Sequence, residues 1–161
     1  MKTDLFQLAT QLGAKLKSHN GVLTTAESCT GGGIAEAITR VPGSSAWFDR
    51  GFITYSYPAK IDVLGVKKAT LDRVGAVSQA VAIEMAEGAL THSAADVALA
   101  VTGIAGPDGG TPEKPVGTVW FAWAFKNKPT ISERCVFLGD REAVRNQTIV
   151  HALNKLVETA A

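Results

Sequence analysis

The 161-residue sequence is poor in the side chains that most often do chemistry: it has two cysteines and three histidines. Cys29 and Cys135 are too few for a disulfide framework. Their wide separation offers no zinc motif, so the sequence implies no metal and no cofactor. Free thiols suit a cytoplasmic protein. No apolar run is long enough to cross a bilayer. The start, Met1-Lys2-Thr3-Asp4, lacks the apolar core of a signal peptide. A net charge of +1 gives no bulk attraction to nucleic acid or to an acidic membrane. What is present is 46% apolar and 19% charged, as expected of one globular domain over 1–161 with a sizeable core. There is no internal repeat, linker or low-complexity segment.

The elements follow from periodicity and punctuation. Leu5, Leu8, Leu12 and Leu16 mark one face of a first helix, with Thr3 or Asp4 as cap and Asn20-Gly21 as its end. A short strand at 22–25 leads into a second helix with Ile34, Ile38 and Val41 on one face, stopped by Pro42-Gly43. A second strand spans 51–56. A brief helix follows over 59–64, begun by Pro58 and closed by Gly65, with a further helical turn at 70–74. Ser78 caps a helix over 79–91, whose buried side is Val81, Ala82, Met85, Ala86, Ala89 and Leu90. A buried strand at 97–101 precedes a Gly/Pro loop over 102–115. Strands at 116–125 and 130–137 form a hairpin, and Asp140 caps the last helix. The order implies an α/β fold with helices on both faces of a mixed sheet.

The stretch between the first strand and the second helix is Thr25-Ala26-Glu27-Ser28-Cys29-Thr30-Gly31-Gly32-Gly33. Glycines permit a tight turn and leave backbone N–H groups bare, so Ser28 sits where α/β proteins place reacting groups. The plainer alternative is an ordinary capped helix. A nucleophilic serine needs a base. His19, His92 and His151 all fall within or at the ends of helices, away from strand ends and glycine loops, and read as structural. Lysine serves instead where burial makes it neutral. Lys60 is the candidate, because a cation in a first helical turn opposes the dipole, although most lysines are simply exposed. Tyr55, at the end of the preceding strand, would hold or relay a proton. The loop Thr102-Gly103-Ile104-Ala105-Gly106-Pro107-Asp108-Gly109-Gly110 either lines a pocket or is a structural Ω-loop. Arg141 and Arg145, set against the dipole of the last helix, either hold an anion or pair with Asp140 or Glu142.

Together with Pro42-Gly43-Ser44-Ser45, Gly75-Ala76-Val77-Ser78, Lys114-Pro115-Val116-Gly117-Thr118-Val119 and Gly139-Asp140-Arg141, these stretches resemble the C-terminal domain family of the competence/damage-inducible protein CinA. The resemblance runs from the first helix to the last. It is strongest to the stand-alone members that deamidate nicotinamide mononucleotide (NMN) to nicotinic acid mononucleotide and ammonia. It implies a three-layer α/β/α sandwich with a mixed, mostly parallel sheet, and an oligomer, most simply a dimer. It places the catalytic groups at Ser28, Tyr55 and Lys60. Substrate contacts are expected from Thr30, Gly31 and Gly32, from Thr102, Gly103, Ala105 and Gly106, and from Arg141 and Arg145. The resemblance does not extend to the N-terminal molybdopterin-binding-like domain of larger members, so the amidohydrolase and no nucleotide pyrophosphatase activity is expected. The alternative is a non-catalytic nucleotide-binding module of the same fold.

Overall fold

A computed structural model describes residues 4–159. Asp4 caps α1 (Leu5–Ser18), its carboxylate accepting from the Phe6 and Gln7 amides. Thr3, the other candidate cap, lies outside the described residues. The remaining helices are α2 (Gly33–Thr39), α3 (Tyr57–Leu64), α4 (Lys68–Val74), α5 (Gln79–Thr91) and α6 (Arg141–Thr159). Ser78 Oγ accepts from Val81 N–H at the start of α5, and Asp140 Oδ1 accepts from Ala143 N–H at the start of α6, the caps the sequence predicts. Among the described residues no helix is long and apolar enough to cross a membrane.

The strands are β1 (Leu23–Glu27), β2 (Phe48–Ile53), β3 (Val97–Gly103), β4 (Thr118–Phe125) and β5 (Lys128–Val136), in the order β2-β1-β3-β4-β5. β1 runs parallel to both β2 and β3, whereas β3–β4 and β4–β5 are antiparallel. Four of the five strands therefore point the same way, the mixed, mostly parallel sheet that the resemblance implies, and β4 alone runs against them. The reason is the segment 104–117: it contains no crossover helix, so the chain returns beside β3 in the opposite direction.

Alternation along the strands divides the core in two. Leu23, Val97, Leu99, Val101, Val119, Phe121 and Trp123 face α1, α2 and α6. Ala26, Ala98, Ala100, Ala122 and Ala124 face α3, α4 and α5. Small side chains on that second face let α5 lie close to the sheet. Close approach continues outward, since a Cβ on Gly88 of α5 would meet the Leu64 carbonyl oxygen at 1.9 Å. These two helical layers complete the α/β/α sandwich.

One boundary moves the site. β2 begins and ends three residues before the predicted 51–56. It is an edge strand with Asp49, Arg50 and Gly51 exposed, so its first half lacks apolar alternation and is hidden from a pattern search. The Thr54 amide donates to the Glu27 carbonyl at 2.8 Å, and Tyr55 then falls outside the strand. The carboxyl ends of β1, β2 and β3 lie together, with β2 and β3 on opposite sides of β1. That is a topological switch point, the usual ligand crevice of an open α/β sheet.

Candidate active site

The turn after β1 is built by an acidic anchor. Glu27, fully buried at the strand end, accepts from the Thr30 hydroxyl at 2.5 Å and from the Ile34 and Ala35 amides at 2.9 and 3.0 Å. A carboxylate at the N-terminus of α2 also suits the helix dipole. Between them Gly31 and Gly32 take φ of 58° and 102°, a conformation costly for other residues. The chain thus reverses sharply, and Ser28 and Cys29 stand at the bend.

Lys60 reaches Ser28 from the neighbouring strand end. Ser56 Oγ accepts from Ala59 N–H and starts α3, which puts Lys60 in its first turn. The side chain turns inward and is 1% exposed. Nζ lies 2.9 Å from Ser28 Oγ, 2.7 Å from the Thr54 carbonyl oxygen and 3.3 Å from the Tyr55 carbonyl oxygen. A neutral amine donates two hydrogens to the carbonyls and turns its lone pair to the Ser28 hydroxyl. Burial lowers the Lys60 pKa from 10.5 to about 8, with nearby Cys29 opposing the shift. Burial pushes the Cys29 thiol up to about 12, so it stays protonated and is a poor nucleophile.

Ser28, Cys29, Tyr55, Lys60, Ala76, Val77, Thr102, Gly103, Ile104, Ala105, Gly106, Asp108 and Arg141 surround one cavity of about 290 Å³. Its charged lining is Lys60 at one side with Asp108 and Arg141. Thr102 Oγ1 donates to the Ala76 carbonyl at 3.0 Å, tying two lining loops together. Arg141 Nη1 donates to the Gly106 carbonyl at 2.8 Å and Nη2 to the Tyr55 hydroxyl at 3.2 Å. The Tyr55 ring is 64% exposed and leans over the cavity toward Arg141, whereas its backbone carbonyl meets Lys60. Among the described residues, the amides of Cys29, Thr30, Ala105 and Gly106 take no backbone partner.

Most of the expected site residues thus meet, but four stand behind the bend rather than around the cavity. Thr30 spends its hydroxyl on Glu27, and Gly31 and Gly32 shape the turn. Arg145 Nη2 donates to the Thr30 carbonyl at 3.1 Å, and its Nε is buried without a partner among the described residues. Neither arginine pairs with Asp140 or Glu142; both reach loop carbonyls instead. Sequence reasoning missed Glu27 as an anchor and Asp108, Ala76 and Val77 as lining. Asp108 lies inside the singled-out loop, but nothing in the sequence marks the direction of its side chain. None of the histidines lines the cavity. Outside the cavity, Glu133 and Cys135 of β5 meet His151 of α6, a grouping that no sequence motif marks.

Similar proteins carry the same domain. A nicotinamide-nucleotide amidohydrolase PncC of Pseudomonas putida is 58% identical over 151 residues, 94% of each chain. The protein of that name from Escherichia coli K12 is 54% identical over 154 residues, 96% of this chain and 93% of its own. The crystal structure of competence/damage inducible protein CihA from Agrobacterium tumefaciens superposes with a TM-score of 0.96 at 43% identity, covering 100% of this chain and 98% of its own. The CinA C-terminal domain description itself matches residues 5–160, and with the shared fold and the near-complete overlap the chain belongs to that family.

Proposed function

We propose that the chain is a nicotinamide-nucleotide amidohydrolase, which hydrolyses the carboxamide of NMN to nicotinic acid mononucleotide and ammonia in pyridine-nucleotide salvage. The observation that carries this reading is the buried Lys60 amine 2.9 Å from Ser28 Oγ. The names of the two PncC relatives supply the substrate.

Ser28 Oγ attacks the carboxamide carbon and Lys60 Nζ takes the hydroxyl proton. The positive pyridinium ring draws electrons from the carboxamide and makes that carbon more electrophilic. Free amides at the bend and at Ala105–Gly106 stabilise the oxyanion. The C–N bond breaks as Lys60 returns its proton to the nitrogen, ammonia leaves, and a nicotinoyl ester remains on Ser28. Water then attacks the ester and gives a proton to Lys60. Ser28 Oγ leaves and recovers that proton, which closes the cycle.

The cavity's charges match the substrate in kind. Asp108 suits the pyridinium and Arg141 the phosphate. The Tyr55 hydroxyl, which accepts from Arg141 Nη2, holds that guanidinium in place. The test is to incubate the purified chain with NMN and follow ammonia and nicotinic acid mononucleotide together. Equimolar release that is lost in Ser28→Ala supports the reading. Binding without release would make the chain a nucleotide-binding module.

A further inference from the structure

Away from the cavity, three side chains converge on one point. Glu133 and Cys135 are two apart on the edge strand β5 and so share a face, which looks toward α6. His151 projects from α6 between them. Cys135 Sγ lies 3.7 Å from Glu133 Oε1 and 3.7 Å from His151 Nε2, and Nε2 is hydrogen-bonded to Oε1. We propose that Glu133, Cys135 and His151 bind one divalent cation of the zinc type, which clamps the edge strand β5 to α6.

Geometry and donor chemistry both support this. Zinc bonds of about 2.3 Å to sulfur and about 2.0 Å to nitrogen or oxygen put tetrahedral ligand atoms roughly 3.3–3.6 Å apart. Two edges of the triangle already have nearly that length. The third is the hydrogen bond between His151 and Glu133, whose proton the ion would replace, pushing the two atoms apart. A mixed sulfur, nitrogen and oxygen set selects zinc-like ions over magnesium or calcium. All three donors are half-buried. The inner side is apolar, with the Phe121 ring 4.7 Å from the imidazole and Phe137 and Trp123 beside it. The outer side opens to a cavity of about 570 Å³ past His151, Asn154 and Leu5, which leaves room for a water as fourth ligand. Lys155 Nζ lies 3.9 Å from Glu133 Oε2, whereas Oε1 is the oxygen that faces His151 and Cys135.

The charges and protons balance. A thiolate and a carboxylate together neutralise a dication. The Cys135 thiol gives its proton to solvent on binding, and the proton of the His151–Glu133 hydrogen bond moves to Nδ1, so that Nε2 of the neutral ring offers a lone pair.

The experiment is a titration of the metal-stripped protein with Co²⁺, followed by displacement with Zn²⁺. Saturation is expected at one equivalent, with a sulfur-to-cobalt charge-transfer band and the intense visible bands of tetrahedral cobalt, all lost when Zn²⁺ is added. The charge-transfer band should vanish in Cys135→Ser and persist in Cys29→Ala. His151→Gln should weaken Co²⁺ at least roughly a hundredfold, given that even outer partners cost ten- to a hundredfold. Zn²⁺ should raise the melting temperature of the wild-type chain and leave Cys135→Ser unmoved. If Cys135→Ser does not fold, His151→Gln and the wild-type band decide the matter. No saturable band in the wild-type protein, a charge-transfer band that survives loss of Cys135, or an affinity for Co²⁺ unchanged by loss of His151 would overturn the proposal.

Discussion

Lys60 Nζ and Ser28 Oγ stand 2.9 Å apart although 32 residues separate them in the chain. The contact exists because β1 and β2 are parallel neighbours. Ser28 follows the end of one strand, and Lys60 lies in the first helix after the other. Among the described residues Lys60 has no ion-pair partner, only three oxygen atoms: one hydroxyl and two carbonyls. Burial presses the charge off, and the nearby Cys29 opposes this only in part.

Ser28 and Cys29 are adjacent and border the same cavity, and Ser28 is the one hydrogen-bonded to Lys60. The Cys29 thiol is held near its protonated form, with a pKa of about 12. Cys29→Ala should keep NMN turnover within about tenfold, and Ser28→Ala should lose nearly all of it. Ammonia release by both variants measures this, and the reverse order would move the nucleophile to the thiol.

Lys60 should leave a mark on stability as well. Its pKa is about 8 when folded against an ordinary 10.5. Between those values the unfolded chain binds more protons, so stability rises with pH across that window. Below about 8 the cost of burying the amine is felt in full. Urea unfolding of the wild type and of Lys60→Met at about pH 7, 9 and 11 reads this as a difference between the two proteins. The difference should move toward the wild type as pH rises, and a constant difference would mean that Lys60 titrates normally.

Arg141 and Arg145 share a helix face but not a task. Arg141 borders the cavity, whereas Arg145 braces the Thr30 carbonyl. Arg141→Ala should lower kcat/KM for NMN by roughly ten- to a hundredfold, on the order of 1.5–3 kcal/mol for a charge-assisted bond. Nicotinamide riboside, which lacks the phosphate, should change little. Tyr55→Phe should follow the same pattern more weakly, because its hydroxyl bonds Arg141. Arg145→Ala should reduce both substrates equally by loosening the bend. Equal losses in Arg141→Ala would assign the phosphate to the glycine loops.

Glu27 accepts three hydrogen bonds with two oxygens. Glu27→Gln keeps the shape but turns a donor toward at least one N–H or hydroxyl. A loss of about 1–3 kcal/mol in unfolding free energy is expected, with a fall in kcat as Ser28 shifts. Denaturation and turnover on one preparation check both.

Much of this was legible because local chemistry and fold agree. Ser78 followed by an apolar-periodic run marks α5 to the residue, and Pro58 with Gly65 locates α3, which starts at Tyr57, two residues before the expected 59–64. Lys60 stood out because a cation in a first turn opposes the dipole, a conflict that its contact with Ser28 explains. What stayed hidden depends on register and side-chain direction. The polar start of β2 carries no alternation, so periodicity alone puts the strand three residues late, with Tyr55 at its end. Thr30 and Arg145 look like ligand groups in sequence, yet their atoms are spent on Glu27 and on the bend. Glu133, Cys135 and His151 share no sequence motif and meet only because α6 crosses the β5 edge.

The catalytic role of Lys60 is tested most directly by kcat/KM for NMN from about pH 6 to about pH 10, in the wild type and in Lys60→Arg. This quantity reports the free enzyme's essential base. If neutral Lys60 takes the Ser28 proton, the wild-type value climbs tenfold per pH unit and levels off above about 8. Lys60→Arg, which keeps the charge but cannot deprotonate, should then lie at least roughly a hundredfold lower throughout. A flat wild-type profile, or an arginine variant of comparable activity, would contradict it and leave Lys60 as a fixed positive charge beside Ser28.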